Sequence, residues 1–529
     1  MMDDEFRLDA PVIIVGGGPV GLGLALGLAR YRVRSILLER RTDDIGESRA
    51  MVIWPRTQEI LRDWLAYDAV RAAGIFVQDF RACDAGSNAP IVDLDFRNID
   101  DVVDDPGVLV IPQYVTERVL GELAAASAYC DVRRGVEVAT LSQDERGVTV
   151  TATGPAGPMT LRGSYAAGCD GAHGISRHAL GLSLEGMTYR SRVVLSDDVI
   201  DRTFDDRELA RVDVDSPGLA FAVRFAPNEW RTIASIPAGV TEDVALSPQA
   251  HTARLERLFG KGVQAHTKWS SLFSIHRRHA QRFTTGRIAL AGDAAHLNSP
   301  AGAQGMNAGL HDAANLAWKL AAIFNGIGDG AALFNSYDLE RREMVTDTVE
   351  RFTDRLTRLG IGLPPRIKQL GIHFFSRALR GRGMQRKICR GIGMLSGRYM
   401  KSPIIDTRHP LAGRRIDDLL LPDGKRLNRA RNGEAVLIAA GDIRLNGFRS
   451  IGILTPPKRW HLKRAAALIV RPDGCVASVI DAPDPERIAQ AWQRAFCGTL
   501  PLPLVEVRSR APSRARRRYA STRSSIDTL

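Results

Sequence analysis

The chain begins with two apolar runs separated by a glycine-rich turn. VIIVG, from Val12 to Gly16, is a short β-branched run of the kind that is buried in a parallel sheet. A helix is predicted from about Pro19, because proline at the first helical position gives up an N–H that would have no partner there. SILLERR predicts a second strand, which ends at Glu39. This order is typical of the β–α–β unit that opens an α/β domain.

Farther along, the spacing of apolar residues predicts alternating helices and strands. RTQEILRDWLAYDAVRAAG predicts one helix, and VLVIPQYVTERVLGELAAAS predicts a strand followed by a helix capped near Thr116. Residues 135–171 alternate apolar and polar positions around turn residues, which predicts a β-meander. Residues 190–283 are again mostly strand-like, with one helix near PQAHTARLERLFG.

Helical spacing returns in the second half of the chain. One helix is predicted from Asn307 to about Phe324, and a longer one from Tyr337 to about Leu359. A Pro- and Gly-rich stretch at 361–413 then separates this part from a further α/β region. The pattern therefore predicts at least two folded units.

Composition is that of an ordinary globular protein. The chain has 529 residues, of which 44% are hydrophobic and 25% charged. No run of 18 apolar residues predicts a membrane span, and the acidic start MMDDEFRLDAP is no secretory signal, so we expect a cytoplasmic protein. The six cysteines contain no CxxC pair, which predicts reduced thiols and neither a metal site nor a disulfide framework.

The net charge of +12 is concentrated in two segments. Residues 366–401 carry +10 and residues 508–529 carry +6, so the remainder is slightly acidic. The second segment predicts a disordered tail without specific nucleic-acid binding. In the first segment, apolar residues at helical spacing predict a basic amphipathic helix. These residues are Ile367, Leu370, Phe374, Ala378 and Leu379. The helix is expected to pack on its own protein or to contact an acidic partner, another subunit or a membrane surface.

The turn after the first strand has the spacing of a dinucleotide-binding site. Gly16 permits a tight turn, Gly18 lets the backbone approach a pyrophosphate, and Gly21 lets the helix pack closely on the strand. The helix N-terminus attracts the diphosphate. Glu39, at the end of the second strand, is placed to accept hydrogen bonds from a ribose and would repel a 2′-phosphate.

A second ligand-binding element lies about 270 residues later, in GRIALAGDAAHLNSPAGAQGMNAGLHDAANLAWKLA. RIALAG predicts a buried strand that delivers Asp293 at its carboxyl end, where open α/β sheets bind ligands. A Gly-rich loop follows, and a helix opens at about Gly305. A flavin can use both parts: the carboxylate accepts from a ribitol hydroxyl, and the helix N-terminus stabilises negative charge on the reduced ring. The pair of elements favours FAD over a nicotinamide cofactor.

Over about residues 10–360 the sequence resembles the single-component FAD-dependent aromatic hydroxylases, through the two elements above and the motif GCDGAHGISR. The length and LIVRPDGCVASV resemble the long, phenol-hydroxylase-like branch. The resemblance implies these FAD-contacting residues: Gly16, Gly18, Gly21, Glu39, Arg40, Arg49, Gln113, Asp170, Gly292, Asp293, Pro300, Gly305, Met306 and Asn307.

The GCDGAHGISR motif is 4-hydroxybenzoate hydroxylase-like, and in that form its His and last Arg assist NAD(P)H binding. Those positions are His173 and Arg177, with a solvated or core histidine and a structural ion pair as the alternatives. Gly174 stands where the family more often has Ser. No second dinucleotide-binding unit is evident, so the reductant is expected to bind only transiently.

The resemblance also implies the fold and the domain order. An α/β, Rossmann-like FAD-binding domain is expected to be interleaved with a β-sheet substrate domain and followed by a thioredoxin-like α/β domain without redox cysteines. The predicted ranges are 10–80, 107–189 and 284–360 for FAD, 81–106 and 190–283 for substrate, 361–400 for a basic helical connector, 401–507 for the C-terminal domain and 508–529 for the tail.

The implied activity is that of a monooxygenase. With NAD(P)H and O2 it would hydroxylate a small phenolic or polycyclic aromatic substrate through a flavin C4a-hydroperoxide, and the expected assembly is a homodimer. Epoxidation or Baeyer–Villiger oxygen insertion on a polyketide- or antibiotic-like substrate is the alternative within this chemistry. A flavin-bearing binding protein with little turnover is the alternative outside it. The sequence names no catalytic base.

Overall fold

The computed structural model describes residues 10–43, 50–216, 218–300, 302–355, 367, 371, 381–440, 449–453, 456–463 and 466–498. Its strands, numbered in chain order, are β1 (Ala10–Val15), β2 (Ser35–Glu39), β3 (Val52–Ile53), β4 (Ile75–Val77), β5 (Asp79–Asp84), β6 (Pro90–Asp95), β7 (Val108–Val110), β8 (Cys130–Arg134), β9 (Glu137–Gln143), β10 (Val148–Gly154), β11 (Gly157–Gly168), β12 (Leu184–Ile200), β13 (Glu208–Val212), β14 (Ala220–Ala226), β15 (Glu229–Ile236), β16 (Ala265–Ala280), β17 (Thr284–Thr285), β18 (Ile288–Leu290), β19 (His296–Leu297), β20 (Val436–Ala440), β21 (Arg449–Ile453), β22 (Ala466–Val470) and β23 (Val476–Asp481).

The helices are numbered in the same way. They are α1 (Pro19–Arg30), α2 (Pro55–Asp63), α3 (Tyr67–Ala72), α4 (Gln113–Ala125), α5 (Ile175–Ala179), α6 (Glu242–Ala245), α7 (Pro248–Phe259), α8 (Gly305–Phe324), α9 (Gly330–Met344), α10 (Arg382–Ile392), α11 (Leu427–Arg431) and α12 (Pro485–Phe496). Helix α9 continues into a π-helical turn at Val345–Glu350. Within the ranges described above, no helix is long and apolar enough to cross a membrane.

The first sheet forms around the apolar run that opens the chain. β1 pairs in parallel with β2 on one side and with β11 on the other, and β11 pairs in parallel with β18. Val12, Ile13 and Ile14 have no exposed surface, as expected for a strand that is covered on both faces. The predicted β–α–β unit and meander are confirmed. Parallel pairing also places the carboxyl ends of β1, β2 and β18 at one edge of this sheet.

Helices α1 and α8 cross at close range near that edge. A Cβ added at Gly23 would lie 2.9 Å from Leu310 Cδ2 and from the Trp64 ring, so a side chain there would have to displace one of them. The close approach continues at the start of both helices, where a Cβ at Gly309 would lie 2.5 Å from Val20 Cγ2. The glycines thus allow the two helix N-termini to lie side by side.

The second sheet has eight strands in the order β19–β16–β12–β15–β14–β13–β5–β6. Helix α7 covers one face, where the rings of Trp230 and Phe259 lie 5.2 Å apart. Because side chains alternate along a strand, the neighbours of Trp230 point to the opposite face. That face carries the partly buried aromatic side chains Phe221, Trp269 and Phe273. The strand-rich character predicted for 190–283 and the helix predicted near PQAHTARLERLFG, which is α7, are confirmed, and the short helix α6 was not predicted.

The C-terminal unit is a four-stranded mixed sheet in the order β21–β20–β22–β23, with α12 packed on it. β20 pairs in parallel with β21 and antiparallel with β22. The unit meets α8 where the rings of Trp318 and Phe496 lie 5.6 Å apart. The predicted α/β class is confirmed, whereas the thioredoxin-like assignment of this unit stays a prediction. All six cysteines lie in the described residues and are free thiols.

Helix α10 belongs to the basic connector predicted at 361–400. Arg386 Nη2 lies 2.9 Å from Asp101 Oδ2, and Gln385 accepts a 2.8 Å hydrogen bond from Asn98 Nδ2. Cys389 is buried between this helix and the second sheet. This helix therefore packs on its own protein. The predicted amphipathic pattern precedes this helix, and of its residues only Ile367 is described, where it is exposed. Leu370, Phe374, Ala378 and Leu379 lie outside the described residues, as does the tail at 508–529, so that prediction is not tested.

Two predicted helix boundaries near the first sheet are wrong. The single helix expected after Pro55 is the pair α2 and α3, because Leu65 between them takes a left-handed backbone conformation with φ 61°. Helix α4 begins at Gln113 with Pro112 as its N-cap, so Thr116 lies in the first turn and not at the cap. The proline fixes the start because its ring favours an extended entry into the helix.

The helix predicted from Tyr337 begins earlier, at Gly330. The reason is a side-chain cap, since Asp329 Oδ1 accepts a 2.9 Å hydrogen bond from Ala332 N. The cap fixes the direction of α9 where the chain leaves α8.

Candidate active site

The three glycines of the first turn differ in the space around them, and only one of them leaves room in front of the N-terminus of α1. Gly16 has φ +106°, and a Cβ there would lie 2.6 Å from the carbonyl carbon of Cys169. A Cβ at Gly21 would overlap the carbonyl oxygen of Gly16. Gly18 is different, because a Cβ built there meets no protein atom within 4 Å. Gly16 and Gly21 are therefore required by the fold, whereas Gly18 faces empty space in front of the helix.

Glu39 is buried at the end of β2 and braces this turn. Its Oε2 accepts a 2.6 Å hydrogen bond from Gly17 N, and its Oε1 accepts from the backbone N–H and the guanidinium of Arg41. Burial alone would raise the pKa of Glu39, but the Arg41 and Gly17 N–H donors outweigh it, so the pKa is lowered and the carboxylate is ionised. Arg40, the predicted neighbour, is exposed.

Asp293 follows β18 in a single 3₁₀ turn, Gly292–Ala294, and is exposed at the same edge of the sheet. Gly292 N donates to Asp312 Oδ2 over 3.0 Å, and His296 Nε2 lies 2.7 Å from the same oxygen. Both flanks of Asp293 are thus anchored to Asp312 on α8. His296 is fully buried, so its role here is to hold this turn on α8.

The N-terminus of α8 lies beside Asp293. A Cβ at Gly305 would again meet no protein atom within 4 Å. The side chain of Asn307 is buried, where it accepts from Trp54 N and donates to Val52 O. Met306, in the first turn of α8, is buried, and Pro300, in the loop before the helix, is half-buried. Asn307 therefore fixes β3 to the helix start, and only its backbone N–H is left to face a ligand.

The GCDG loop follows β11, the strand that lies between β1 and β18. Asp170 Oδ2 accepts a 2.8 Å hydrogen bond from Ser176 N, while its Oδ1 is buried without a hydrogen-bond partner. Burial raises the pKa of Asp170 in spite of that N–H donor. A Cβ at Gly174 would lie 2.5 Å from Asp170 Oδ2, so the glycine makes room for the carboxylate. Glycine in place of the more common Ser is therefore matched to this position of Asp170.

The two residues predicted to assist the reductant lie in different surroundings. His173 is exposed at the surface of the loop. Arg177 is buried, and its guanidinium donates to Ala294 O over 3.1 Å and to Ala172 O over 2.6 Å. Arg177 thus ties the GCDG loop to the turn that carries Asp293.

Gln113 connects this region to the second sheet. Its Oε1 accepts a 3.3 Å hydrogen bond from Ala50 N, and Arg231 Nη1 donates to Ala50 O over 3.4 Å. Arg49, the adjacent predicted residue, lies outside the described residues.

The sequence prediction missed Arg231 and its partner. Arg231 binds Asp197 with two hydrogen bonds of 2.7 Å, and Trp269 Nε1 donates to the same carboxylate over 3.0 Å. Asp197 and Arg231 are directly opposed on β12 and β15, and both are buried. An acidic residue and a basic residue within two predicted strands are the signal that could have revealed the pair, but the cross-strand register is not visible in the sequence.

The two open glycines, Gly18 and Gly305, together with Glu39, Asp170 and Asp293, define what we call the cofactor cradle. It combines two adjacent helix N-termini, which favour negative charge, with carboxylates that can accept hydrogen bonds from hydroxyl groups. This donor set fits the diphosphate, ribose and ribitol of FAD. In the part of the chain that the structure describes, no group of three His, Cys, Asp or Glu side chains could hold a metal ion.

Comparisons with known proteins agree with this fit. Residues 9–352 match the family model described as "FAD binding domain". The rifampicin monooxygenase of Streptomyces venezuelae is 32% identical over 477 residues, which cover 88% of this chain and 94% of that protein. The 12-dehydrotetracycline 5-monooxygenase/anhydrotetracycline 6-monooxygenase of Streptomyces rimosus is 30% identical over 498 residues, with coverage of 88% and 94%.

Among solved structures, OxyS anhydrotetracycline hydroxylase from Streptomyces rimosus aligns with a TM-score of 0.76 at 29% identity, covering 92% of this chain and 99% of that chain. The family match spans the entire cofactor cradle, and the alignments extend through the C-terminal unit. The chain therefore belongs to the FAD-binding-domain family of flavin-dependent aromatic hydroxylases and is an FAD-dependent monooxygenase.

Proposed function

We propose that this enzyme uses NAD(P)H and O2 to hydroxylate a polycyclic phenolic substrate. The observation that carries the proposal is the aromatic face of the second sheet, with Phe221, Trp269 and Phe273 only partly buried. Arg231 lies on this face, because its strand partner Asp197 also pairs with Trp269. Arg231 also donates to Ala50 O, and Ala50 N donates to Gln113, a residue that the family resemblance implies at FAD. This link supports a position of the face next to the cofactor.

An aromatic wall suits a flat, extended ligand. Aromatic rings bury large areas and stack in offset or edge-on geometry, so several of them favour a substrate with more than one ring. The relatives named for rifampicin and tetracycline compounds act on molecules of that kind. We infer that the substrate lies between this aromatic face and the cofactor cradle, where the surrounding protein excludes water from the reaction.

FAD, when bound, supplies the redox chemistry, accepting electrons from NAD(P)H and activating O2 for transfer of one oxygen atom. The chain's part is to hold and orient. The α8 N-terminus stabilises negative charge, Glu39 and Asp293 accept hydrogen bonds from hydroxyls, and the open glycines let backbone N–H groups approach the diphosphate. His173, exposed on the GCDG loop, is our candidate contact for the transient reductant, and Arg177 positions the loop that carries it.

Asp197 is not proposed as the catalytic base. Its two oxygens already accept hydrogen bonds from Arg231 and Trp269 in a buried pair. The role that fits the Asp197–Arg231 pair is to fix the end of the aromatic face that lies next to Ala50.

We further propose the domain division expected above, with a thioredoxin-like C-terminal domain, action in the cytoplasm, and a homodimer as the active form. The two large sheets, whose strands interleave along the chain, support the discontinuous FAD and substrate domains.

The test is NADH and NADPH oxidation in air by the purified holoenzyme with a panel of simple phenols and polycyclic phenols. We expect a polycyclic compound to accelerate oxidation with little H2O2, and its product to gain one oxygen. Trp269→Ala should raise KM for that compound, whereas Trp230→Phe, on the α7 side of the sheet, should leave KM unchanged. Lactone or epoxide products would favour the alternative oxygenations. Oxidation that no compound stimulates would favour a binding protein.

A further inference from the structure

A buried chain of polar groups runs from the cofactor cradle to the C-terminal unit. It starts at Asp312, which accepts hydrogen bonds from Gly292 N, from His296 and from Arg341 Nε, the last over 2.7 Å. The Asp312 side chain has no exposed surface. Its three donors come from two sides of Asp293 and from α9, so the position of Asp293 depends on where Arg341 holds Asp312.

Arg341 is the second link. Besides Asp312, its guanidinium donates to Ala308 O in the first turn of α8 over 3.1 Å and to the Tyr399 hydroxyl over 3.1 Å. It is 1% exposed, so water cannot replace a lost partner easily. One side chain therefore fixes both cradle elements, the Asp293 turn and the α8 N-terminus, relative to Tyr399.

Tyr399 leads on to the C-terminal sheet. The Arg471 guanidinium, just after β22, lies 5.6 Å from the Tyr399 ring centroid. Arg471 also binds Glu340 on α9 with two hydrogen bonds of 2.6 and 2.9 Å. Glu340 in turn accepts from Lys319 on α8 over 3.0 Å. The C-terminal unit is thus joined to α8 and α9 by charges with no exposed surface.

Buried charged groups of this kind add little net stability, because apolar side chains of similar size often stabilise a core as well or better. Their directional bonds do specify relative position, which apolar contacts do less sharply. Because these buried polar groups connect the cradle to the C-terminal unit, the structure assigns a positioning role to Arg341 and Tyr399. Through them the C-terminal unit fixes the positions of the Asp293 turn and the α8 N-terminus relative to the flavin. This inference rests on FAD as the resident cofactor, and it deepens the proposed function by giving the C-terminal unit a part in the reaction.

The chain offers a matched pair of variants for the test. Tyr399→Phe removes the hydroxyl that accepts from Arg341 and keeps the ring beside Arg471. Tyr31→Phe removes a hydroxyl that also joins the C-terminal unit to the first sheet, by donating to Gly433 O over 2.9 Å, but at the far end of α1. Both variants weaken the attachment of the C-terminal unit, and only Tyr399→Phe breaks the route to the cradle.

The readouts are the flavin reduction potential and visible spectrum of the substrate-free holoenzyme, the FAD dissociation constant, and thermal unfolding. We expect Tyr399→Phe to shift the potential and spectrum and to weaken FAD binding by roughly 2- to 30-fold, the range for a disturbed coupling between packed elements. Tyr31→Phe should leave the potential, the spectrum and the FAD affinity at wild-type values.

Equal losses of thermal stability in both variants, with an unchanged potential, would overturn the proposal. The buried polar groups would then only stabilise the contact between the C-terminal unit and the rest of the protein. Arg341→Lys, which keeps the charge for Asp312 and loses the fork to Tyr399, decides the matter if Tyr399→Phe does not fold. A wild-type potential in that variant also overturns the proposal. A wild-type chain that binds no FAD would instead refute the cofactor assignment, which separates the two failures.

Discussion

Alanine at Gly18 and alanine at Gly21 should separate what the fold requires from what the cofactor requires. Gly18 has φ −71° and ψ −177°, an extended conformation that alanine adopts freely, and its Cβ would meet no protein atom within 4 Å. A Cβ at Gly21 would overlap Gly16 O and lie 3.2 Å from the Gly16 carbonyl carbon. The two substitutions add the same methyl group to the same turn in opposite surroundings.

The magnitudes follow from those surroundings. Gly21→Ala forces α1 and the turn apart, and overpacking of this kind costs about 1–3 kcal/mol. Gly18→Ala should change the stability of the FAD-free protein by less than about 0.5 kcal/mol, as for an unstrained surface site. In the holoenzyme the same methyl would occupy the space of the diphosphate, and we expect the FAD dissociation constant to rise about tenfold or more, equivalent to about 1.4 kcal/mol.

The assay is urea unfolding of the FAD-free proteins together with titration of FAD by flavin fluorescence. We expect Gly21→Ala to lower the unfolding midpoint with and without FAD, and Gly18→Ala to lower only the FAD affinity. If Gly18→Ala binds FAD as tightly as the wild type, the diphosphate does not lie at the α1 N-terminus. If it destabilises the FAD-free protein as much as Gly21→Ala does, the open space is not a feature of the folded chain.

Three further predictions concern the surroundings of the site. Arg231→Met leaves a buried carboxylate without its cation and should cost about 3–5 kcal/mol in urea unfolding; a cost below 1 kcal/mol would mean that the pair is not buried in solution. Gly174→Ala should displace the Asp170 carboxylate and cost about 1–3 kcal/mol, and thermal unfolding of the wild type and variant at one FAD concentration checks it. The hydrogen bond from Glu350 raises the pKa of His279, so its stabilisation should be present below the unfolded pKa of about 6.5 and lost as the pH rises through the higher folded value. His279→Gln should therefore lose stability relative to the wild type at pH 5.5 but not at pH 9, and a deficit that does not change with pH would contradict this assignment.

The parts of the site that follow from local sequence could be predicted. The VIIVG run, the three glycines and Glu39 act within one β–α–β unit, where a short apolar strand and a glycine-bounded turn leave few alternatives. The position of Asp293 after β18 followed in the same way, because a buried strand has only one carboxyl end. These elements are set by steric and hydrophobic constraints between near neighbours.

The parts that depend on distant partners could not be predicted. Leu65 breaks a helix whose apolar spacing continues across it, since a left-handed residue has no sequence signal when it is not glycine. Arg177 looked equally suited to a ligand and to an ion pair, and the structure has it donating to two carbonyls. The contact between Arg341 and Tyr399 joins residues 58 apart, and nothing local to either marks the other.

The central claim is that this chain transfers one oxygen atom from O2 to an aromatic ring while FAD stays bound in the cofactor cradle. The most direct measurement is turnover of the purified yellow holoenzyme with NADPH or NADH under ¹⁸O2, using the polycyclic phenol that most accelerates oxidation. The account predicts a hydroxylated product in which the added oxygen is ¹⁸O, formed in proportion to the reductant consumed. A product whose added oxygen comes from water, or reductant consumption that appears entirely as H2O2 with every compound, would contradict it.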